Sequence, residues 1–294
     1  MTKQPVCAVI VTFHPSADTL NSVLAILPQV QGLVIIDNGS YSDELNKLRD
    51  AKRALGFELI ENGENCGIAA ALNQGVQWAM DQKYRWVILF DQDSRVTEAF
   101  IDQMFSTWNS YSQRLRLASI HPRYVEADSG LESKFPRAKD GGLVKSLTSG
   151  ALMPTWIFEE IGLFASEYFI DGVDTEYCFR IRAAGYLIAE SKSAVLLHSI
   201  GTPKKVSFMG FSFRPSYHNA VRRYYMSRNR IALYRSYYRA LPRFVLREVY
   251  EGFRETVKCF LAEPDRLLKF RNFLLGTWDG LTGKMGRQEK AERR

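Results

Sequence analysis

Short apolar runs that each break at polar residues open the chain. Val6–Phe13 (VCAVIVTF) reads as a first strand ending at Thr12–Phe13–His14–Pro15, followed by an amphipathic helix from about Asp18 to Leu27. Gly32–Asp37 (GLVIID) is a second buried strand, broken by Asn38–Gly39–Ser40. A charged helix over about Asp43–Leu55 leads to a short third strand, Phe57–Ile60. Asn65–Cys66–Gly67 then opens a helix from Ile68 to about Met80, and Trp86–Phe90 is the fourth strand. Unbroken apolar runs suit strands covered on both faces, and their alternation with helical patterns predicts a parallel, helix-covered sheet.

Where these strands end is as informative as where they run. Thr12/His14, Asp37/Asn38 and Asp91/Asp93 are polar endings on three of the first four strands. Ligands of open parallel sheets bind outside the carboxyl ends of the strands, so the endings predict a nucleotide-sized site. Asp91 and Asp93 flank Gln92, and carboxylates spaced i, i+2 on an extended chain can approach one hard cation. The alternative for Asp93–Ser94 is an Asx turn capping a helix near Thr97–Phe100. Neither G-x-G-x-x-G nor G-x-x-x-x-G-K-[ST] occurs, so a bound phosphate needs another neutralising group. A divalent cation, Mg²⁺ or Mn²⁺, on Asp91/Asp93 is the available candidate.

The texture changes after the fourth strand. Leu117–His121 predicts a further strand, Arg123–Lys145 a polar loop or hairpin, and Ser149–Met153 a strand entering a tight turn. Phe169–Glu176 (FIDGVDTE) precedes a helix running through Arg182 and closed by Gly185. Asp171 or Asp174 could be that helix's N-cap, and Glu176 could pair with Arg180 one turn on. Ala194–Leu197 is a strand ending at His198; a lone His at such a place is more often structural than a ligand. Beyond Gly201 the pattern is helical, basic and aromatic. Leu246, Val249, Tyr250, Phe253, Val257 and Phe260 form a 3.6-period stripe flanked by Arg247, Arg254 and Lys258. Such helices either pack on the body with solvated basic faces or lie on anionic lipid.

Charge sharpens that division. Residues 1–200 hold 18 Lys and Arg against 24 Asp and Glu, a net of −6, while 201–294 hold 21 against 8, a net of +13. The tail therefore seeks an anionic surface. Nucleic acid is not the expected partner, because the basic residues are confined to one end while the ordered carboxylates lie in the acidic body. Cys7, Cys66, Cys178 and Cys259 are scattered without a C-x-x-C pair, which suits a reducing compartment and excludes a zinc ribbon. No signal-peptide pattern precedes the first strand, and no apolar run reaches the roughly 18 residues that span a bilayer.

Taken in order, VTFHP, IDNGS, NCGIAAALNQG, FDQDS, SGALM, FIDGVDTEYCFRIRAAGY, LLHSIG and YYMSRNRIALYR make the chain resemble the family 2 glycosyltransferases. The resemblance covers about residues 6–235 and is strongest toward bacterial enzymes that transfer L-rhamnose from dTDP-L-rhamnose. It implies a GT-A fold: a Rossmann-like, mostly parallel α/β sheet with helices on both faces and a basic helical C-terminal extension. Residues 1–125 would form the donor half, 126–200 the half that binds acceptor and supplies the base, and 201–294 the helical region. By resemblance, Thr12, His14, Asp37, Asn38, Asn65, Gly67, Asp91 and Gln92 border the nucleotide sugar. Asp93 would bind the metal that bridges the diphosphate, with His198 as second protein ligand and Asp91 beside it. Asp174 falls at the general-base position, with Asp171 and Glu176 sharing or orienting it; many relatives carry an E-D pair where this chain has Val173–Asp174. Ser149, Gly150 and Asp171 would meet the acceptor. The implied activity is inverting transfer of L-rhamnose to a lipid-linked saccharide in bacterial surface polysaccharide (O-antigen) biosynthesis, with UDP-galactose or UDP-N-acetylglucosamine as alternative donors. The implied place is the bacterial cytoplasm, peripheral on the inner face of the membrane, with a homodimer as the other use of the tail.

Overall fold

The computed structural model describes residues 4–127, 129–198, 206–208, 211–213 and 217–288, without the side chains of His198, 206–208 and 211–213. The chain divides into two compact units: Met1–Ser166 with Tyr177–Ser199, and Glu167–Glu176 with Ile200–Arg294.

The first unit begins as β1 (Val6–Thr12), α1 (Asp18–Ile26), β2 (Gly32–Asp37), α2 (Ser42–Leu55), β3 (Glu58–Glu61), α3 (Ile68–Asp81) and β4 (Trp86–Asp91). It continues with β5 (Ser94–Val96), α4 (Phe100–Ser110), β6 (Leu117–Glu126), β7 (Glu132–Ser133), β8 (Leu152–Pro154) and α5 (Trp156–Ile161). After α6 (Val173–Ala183), which carries the chain back from the second unit, β9 (Leu187–His198) completes it. Its sheet runs β3-β2-β1-β4-β8-β6-β9-β5, with β7 paired to β6. The first four strands of that order are mutually parallel. All seven residues of β1 are buried, which is why an apolar run without alternation was required there. The hydroxyl-bearing and carboxylate ends of β1, β2 and β4 therefore lie side by side at one edge of the sheet.

Two readings change here. Asp93–Ser94 does not cap a helix: Ser94–Val96 is a short strand, antiparallel to β9, and α4 starts after Ala99 with no side-chain cap. Ser94 pairs in register with His198. The helix-cap alternative for the Asp91–Asp93 stretch is thereby removed. The strand predicted to stop at His121 continues to Glu126, because Pro122 sits inside a register shift of the β6–β9 ladder where its missing N–H is tolerated.

The second unit contains the segment 167–176, the hairpin β10 (Val206–Phe208) and β11 (Phe211–Phe213), and α7 (Ala220–Tyr237), α8 (Pro242–Ala262) and α9 (Arg266–Thr282). The hairpin is a departure from the all-helical expectation for this region. Helices α7 and α9 cross closely over Gly276 and Gly280. A Cβ at Gly276 would lie 2.2 Å from the Tyr224 carbonyl oxygen, and one at Gly280 2.7 Å from that of Arg228. Between α7, α8 and α9 a buried ion network replaces apolar packing. The fully buried Glu263 carboxylate accepts from Arg223 at 2.7 Å and Lys269 at 2.9 Å. Burial alone would raise its pKa, but Lys269, Arg223 and the Tyr217 N–H hold it below the usual carboxylate value.

Candidate active site

At the sheet edge of the first unit, the polar strand ends are joined by a continuous hydrogen-bond network. Asp37 is buried and accepts from the Thr12 hydroxyl at 3.1 Å, the Ser40 hydroxyl at 2.5 Å, and the N–H groups of Gly39 and Ser40 at 3.3 and 3.0 Å. A carboxylate has about four acceptor positions, so these donors fill it. Asp37 thus shapes the turn after β2 at the position expected to border a base or ribose. Asn38 extends the network: its amide donates to Asn65 Oδ1 at 3.1 Å, and its carbonyl accepts from Asn62 and the Cys66 N–H, each at 3.1 Å. Asn65 in turn accepts from the Gly67 N–H at 2.9 Å, at the start of α3. The loops after β1, β2 and β3 are therefore one preorganised surface.

His14 projects from this surface. It adopts φ 51°, donates its N–H to Ser40 Oγ at 3.0 Å, and places Nδ1 2.8 Å from Glu44. That contact lowers the Glu44 pKa. Its ring lies between Phe13 and Tyr41, each centroid 4.2 Å away, and both flanking rings are exposed. Gln92 accepts from the Phe13 N–H at 2.8 Å, tying the end of β4 to the end of β1.

Ser149 links the turn before β8 to the carboxylate stretch. Its hydroxyl accepts from the Asp91 N–H at 3.1 Å and lies 2.7 Å from Ser94 Oγ. The Tyr124 hydroxyl donates toward the carbonyls of Ser149 at 2.8 Å and Leu147 at 3.0 Å. Gly150 has φ 81°, and a Cβ there would meet Pro122 at 2.7 Å, so only glycine fits the turn. Below it, His121 is pushed down to about 4 by burial and is neutral. Its Nδ1–H donates to the Leu147 carbonyl at 3.0 Å, which leaves Nε2 to accept from Ser119.

Asp93 is exposed beyond the end of β4, and Asp91 is half-buried. Two oxygen donors i, i+2 apart, beside a strand position paired with His198, make a donor set suited to Mg²⁺ or Mn²⁺. The residues fit a divalent cation in that sense. Among the described residues, no three His, Cys, Asp or Glu side chains converge as a metal cluster, and the His198 side chain lies outside them.

The other carboxylates belong to the second unit. Asp171, at φ 63°, accepts from Arg222 Nε at 3.0 Å through both oxygens, so it is not the cap of α6, which begins at Val173 after Gly172. Glu176 is buried and accepts from the Tyr237 hydroxyl at 2.7 Å. Asp174 is half-buried in the first turn of α6, between them in sequence. Reading the sequence missed Ser40, Asn62, Ser94 and Tyr124 in the first unit, and Arg222, Asn229 and Tyr237 in the second. Of these, Ser40, Ser94 and Asn229 lie inside the stretches IDNGS, FDQDS and YYMSRNRIALYR that carry the resemblance, where no role was assigned to them.

The glycosyl transferase family 2 model matches residues 8–134, which hold the polar strand ends described above. The chain is 29% identical to the dTDP-rhamnosyl transferase RfbF of Shigella flexneri, over 95% of this chain and 96% of that protein. In fold it is similar to S. aureus TarS 1–349 in complex with UDP-GlcNAc (TM-score 0.65, 9% identity, 98% of this chain and 83% of that one). It is also similar to the mannosyltransferase PcManGT of Pyrobaculum calidifontis, in complex with GDP-Man and Mn2+ (TM-score 0.55, 12% identity, 96% and 89% covered). Residues 8–134 thus match the family 2 glycosyltransferase domain, and the chain as a whole shares its fold with solved glycosyltransferases.

Proposed function

We propose that the protein transfers L-rhamnose from dTDP-β-L-rhamnose, with inversion, to a lipid-linked saccharide acceptor in the building of a bacterial surface polysaccharide. The observation that carries this reading is the near full-length similarity to a dTDP-rhamnosyl transferase. Inversion would convert the β-linked donor into an α-L-rhamnoside. The network around Asp37 and Asn38 supports the nucleoside end of the donor, with the Phe13–His14–Tyr41 rings beside it. Asp93, Asp91 and His198 would hold a divalent cation, which when bound neutralises charge on the departing diphosphate. Asp174 takes the proton of the attacking acceptor hydroxyl, with Asp171 and Glu176 setting its surroundings. Ser149 and Gly150 wall the place where acceptor meets donor.

A panel of nucleotide sugars tests the donor. dTDP-L-rhamnose with Mg²⁺ or Mn²⁺ is expected to turn over at least ~10-fold faster than UDP-galactose, UDP-N-acetylglucosamine or GDP-mannose. Faster turnover of a UDP sugar overturns the rhamnosyl assignment and leaves the family assignment intact.

The acceptor reading extends to the membrane surface. The predicted apolar stripe of α8 is not buried in the chain: Leu246 is 70% and Phe253 67% exposed, and on α9 Leu267 is 88% and Trp278 62% exposed. The packed face of α8 is instead Val245, Gly252 and Cys259. Exposed apolar residues interleaved with Arg243, Arg247, Arg254 and Arg271 suit the headgroup region of an anionic bilayer. No helix among the described residues is long and apolar enough to cross a membrane. Changing Leu246, Phe253, Leu267 and Trp278 together to Gln should weaken binding to phosphatidylglycerol vesicles by at least ~10-fold. Unchanged vesicle binding, with loss of a dimer in sedimentation velocity, would assign the face to a second copy.

A further inference from the structure

We infer that α7 is the template of the carboxylate segment, with Asn229 and Tyr237 as positioning residues for the group that takes the acceptor proton. The inference rests on the reading of Asp174 as base and adds the parts that hold it in place. The segment needs holding. Phe169 at φ 61° and Asp171 at φ 63° are both left-handed, a region that L side chains rarely adopt, and they persist only where surroundings over-determine them. Residues along one helix, from Arg222 to Tyr237 and all in the same compact unit, supply that determination.

Asn229 is 1% exposed and makes the central contact. Its Oδ1 accepts from Arg228 Nε at 2.9 Å, which fixes the amide so that Nδ2 faces the segment. There Nδ2 donates to the carbonyls of Tyr168 at 3.0 Å, Ile170 at 2.8 Å and Asp171 at 2.6 Å. Two hydrogens serving three carbonyls hold a kinked backbone that makes no regular ladder of its own. Arg228 is fully buried and backs this up, donating to the carbonyls of Glu167 at 3.2 Å and Tyr168 at 3.0 Å. Burial lowers its pKa, while the Tyr224 and Tyr225 rings and Asp279 favour its charged form. Phe169 packs on Tyr225, 5.2 Å between centroids. Arg222, two turns before Asn229, fixes the Asp171 side chain; Tyr237, two turns after it, fixes Glu176. The carboxylates on either side of Asp174 are thus each tied to α7, and the backbone leading to it is tied by Asn229.

None of these α7 groups need touch substrate, so their effect is expected in turnover and not in donor affinity. Asn229→Ala should lower kcat for transfer by about 10–100-fold, since a displacement near 1 Å can cost that much. KM for the nucleotide sugar and the affinity for dTDP should stay within about twofold. In an Asp174→Asn background the same change should cost less than ~3-fold, because there is no longer a base to position. An equal loss in both backgrounds, or a kcat for Asn229→Ala within ~2-fold of wild type, overturns the inference. Wild-type turnover by Asp174→Asn alone would instead remove the base assignment, whatever Asn229→Ala does. Tyr237→Phe, which deletes one oxygen, is measured in parallel: a fall of ~3–10-fold in kcat at unchanged donor KM is expected. It decides the matter if Asn229→Ala does not fold, and no change in its kcat then counts against the template.

Discussion

Asp174→Asn is expected to lower transfer at saturating donor and acceptor by about 10²–10⁴-fold, the usual worth of a general base. Asn keeps the shape of Asp and can still accept a hydrogen bond, but it cannot take the proton from an attacking hydroxyl. Asp174 lies in the first turn of a helix whose preceding backbone is held by other residues, so the substitution should leave the melting temperature close to that of wild type. dTDP binding should also be unchanged, because the strand ends assigned to the nucleotide belong to the other compact unit. The neighbours should behave differently. Asp171 is engaged by Arg222 through both oxygens, and Glu176 by the Tyr237 hydroxyl. Asp171→Asn and Glu176→Gln should therefore each fall less in kcat than Asp174→Asn. Full activity of Asp174→Asn alongside inactive Glu176→Gln would move the base two residues along the chain.

Asp93→Ala should cost at least about 10²-fold in kcat/KM, or roughly 2.7 kcal/mol at about 1.4 kcal/mol per tenfold. The loss should also appear without any turnover. In calorimetric titration with dTDP, wild type should bind more tightly with Mn²⁺ than with EDTA, and Asp93→Ala should bind equally in both. Asp93 is exposed and not part of the core, so no large change in stability is expected to confuse the result. A variant that keeps the Mn²⁺ effect would show that Asp93 is not the ligand, and Asp91 would be the next residue to change. The Asp91 N–H bond to Ser149 comes from the backbone, so Asp91→Asn leaves that link in place.

The parts of this protein that were legible in its sequence are those where local pattern and tertiary demand agree. β1, β2 and β4 are buried on both faces, so each is written as an unbroken apolar run that breaks at polar residues. β9 was legible only in its last residues, because Ser191–Lys192–Ser193 interrupts the apolar pattern in the middle of a 12-residue strand. β5 is an edge strand of 3 residues, too short to announce itself, and the same letters read equally well as a turn. The four donors that Asp37 draws from its own chain were not legible either: an Asp at a strand end looks the same with or without them. Asn229 was the least legible. A polar residue on a helix shows no sign of which carbonyls it serves when these lie some 60 positions earlier in the chain.

The second unit is assembled from two stretches of sequence, with Tyr177–Ser199 of the first unit between them. That split constrains how such enzymes can exchange specificity. A chimera made by one crossover after Ser199 would install a foreign α7 against a resident segment whose carbonyl spacing was matched to another asparagine. A graft with two further junctions, moving Glu167–Glu176 together with the C-terminal helices, would keep each donor with its own acceptor. The inherited module is therefore discontinuous, and a ten-residue insert travels with a helical tail.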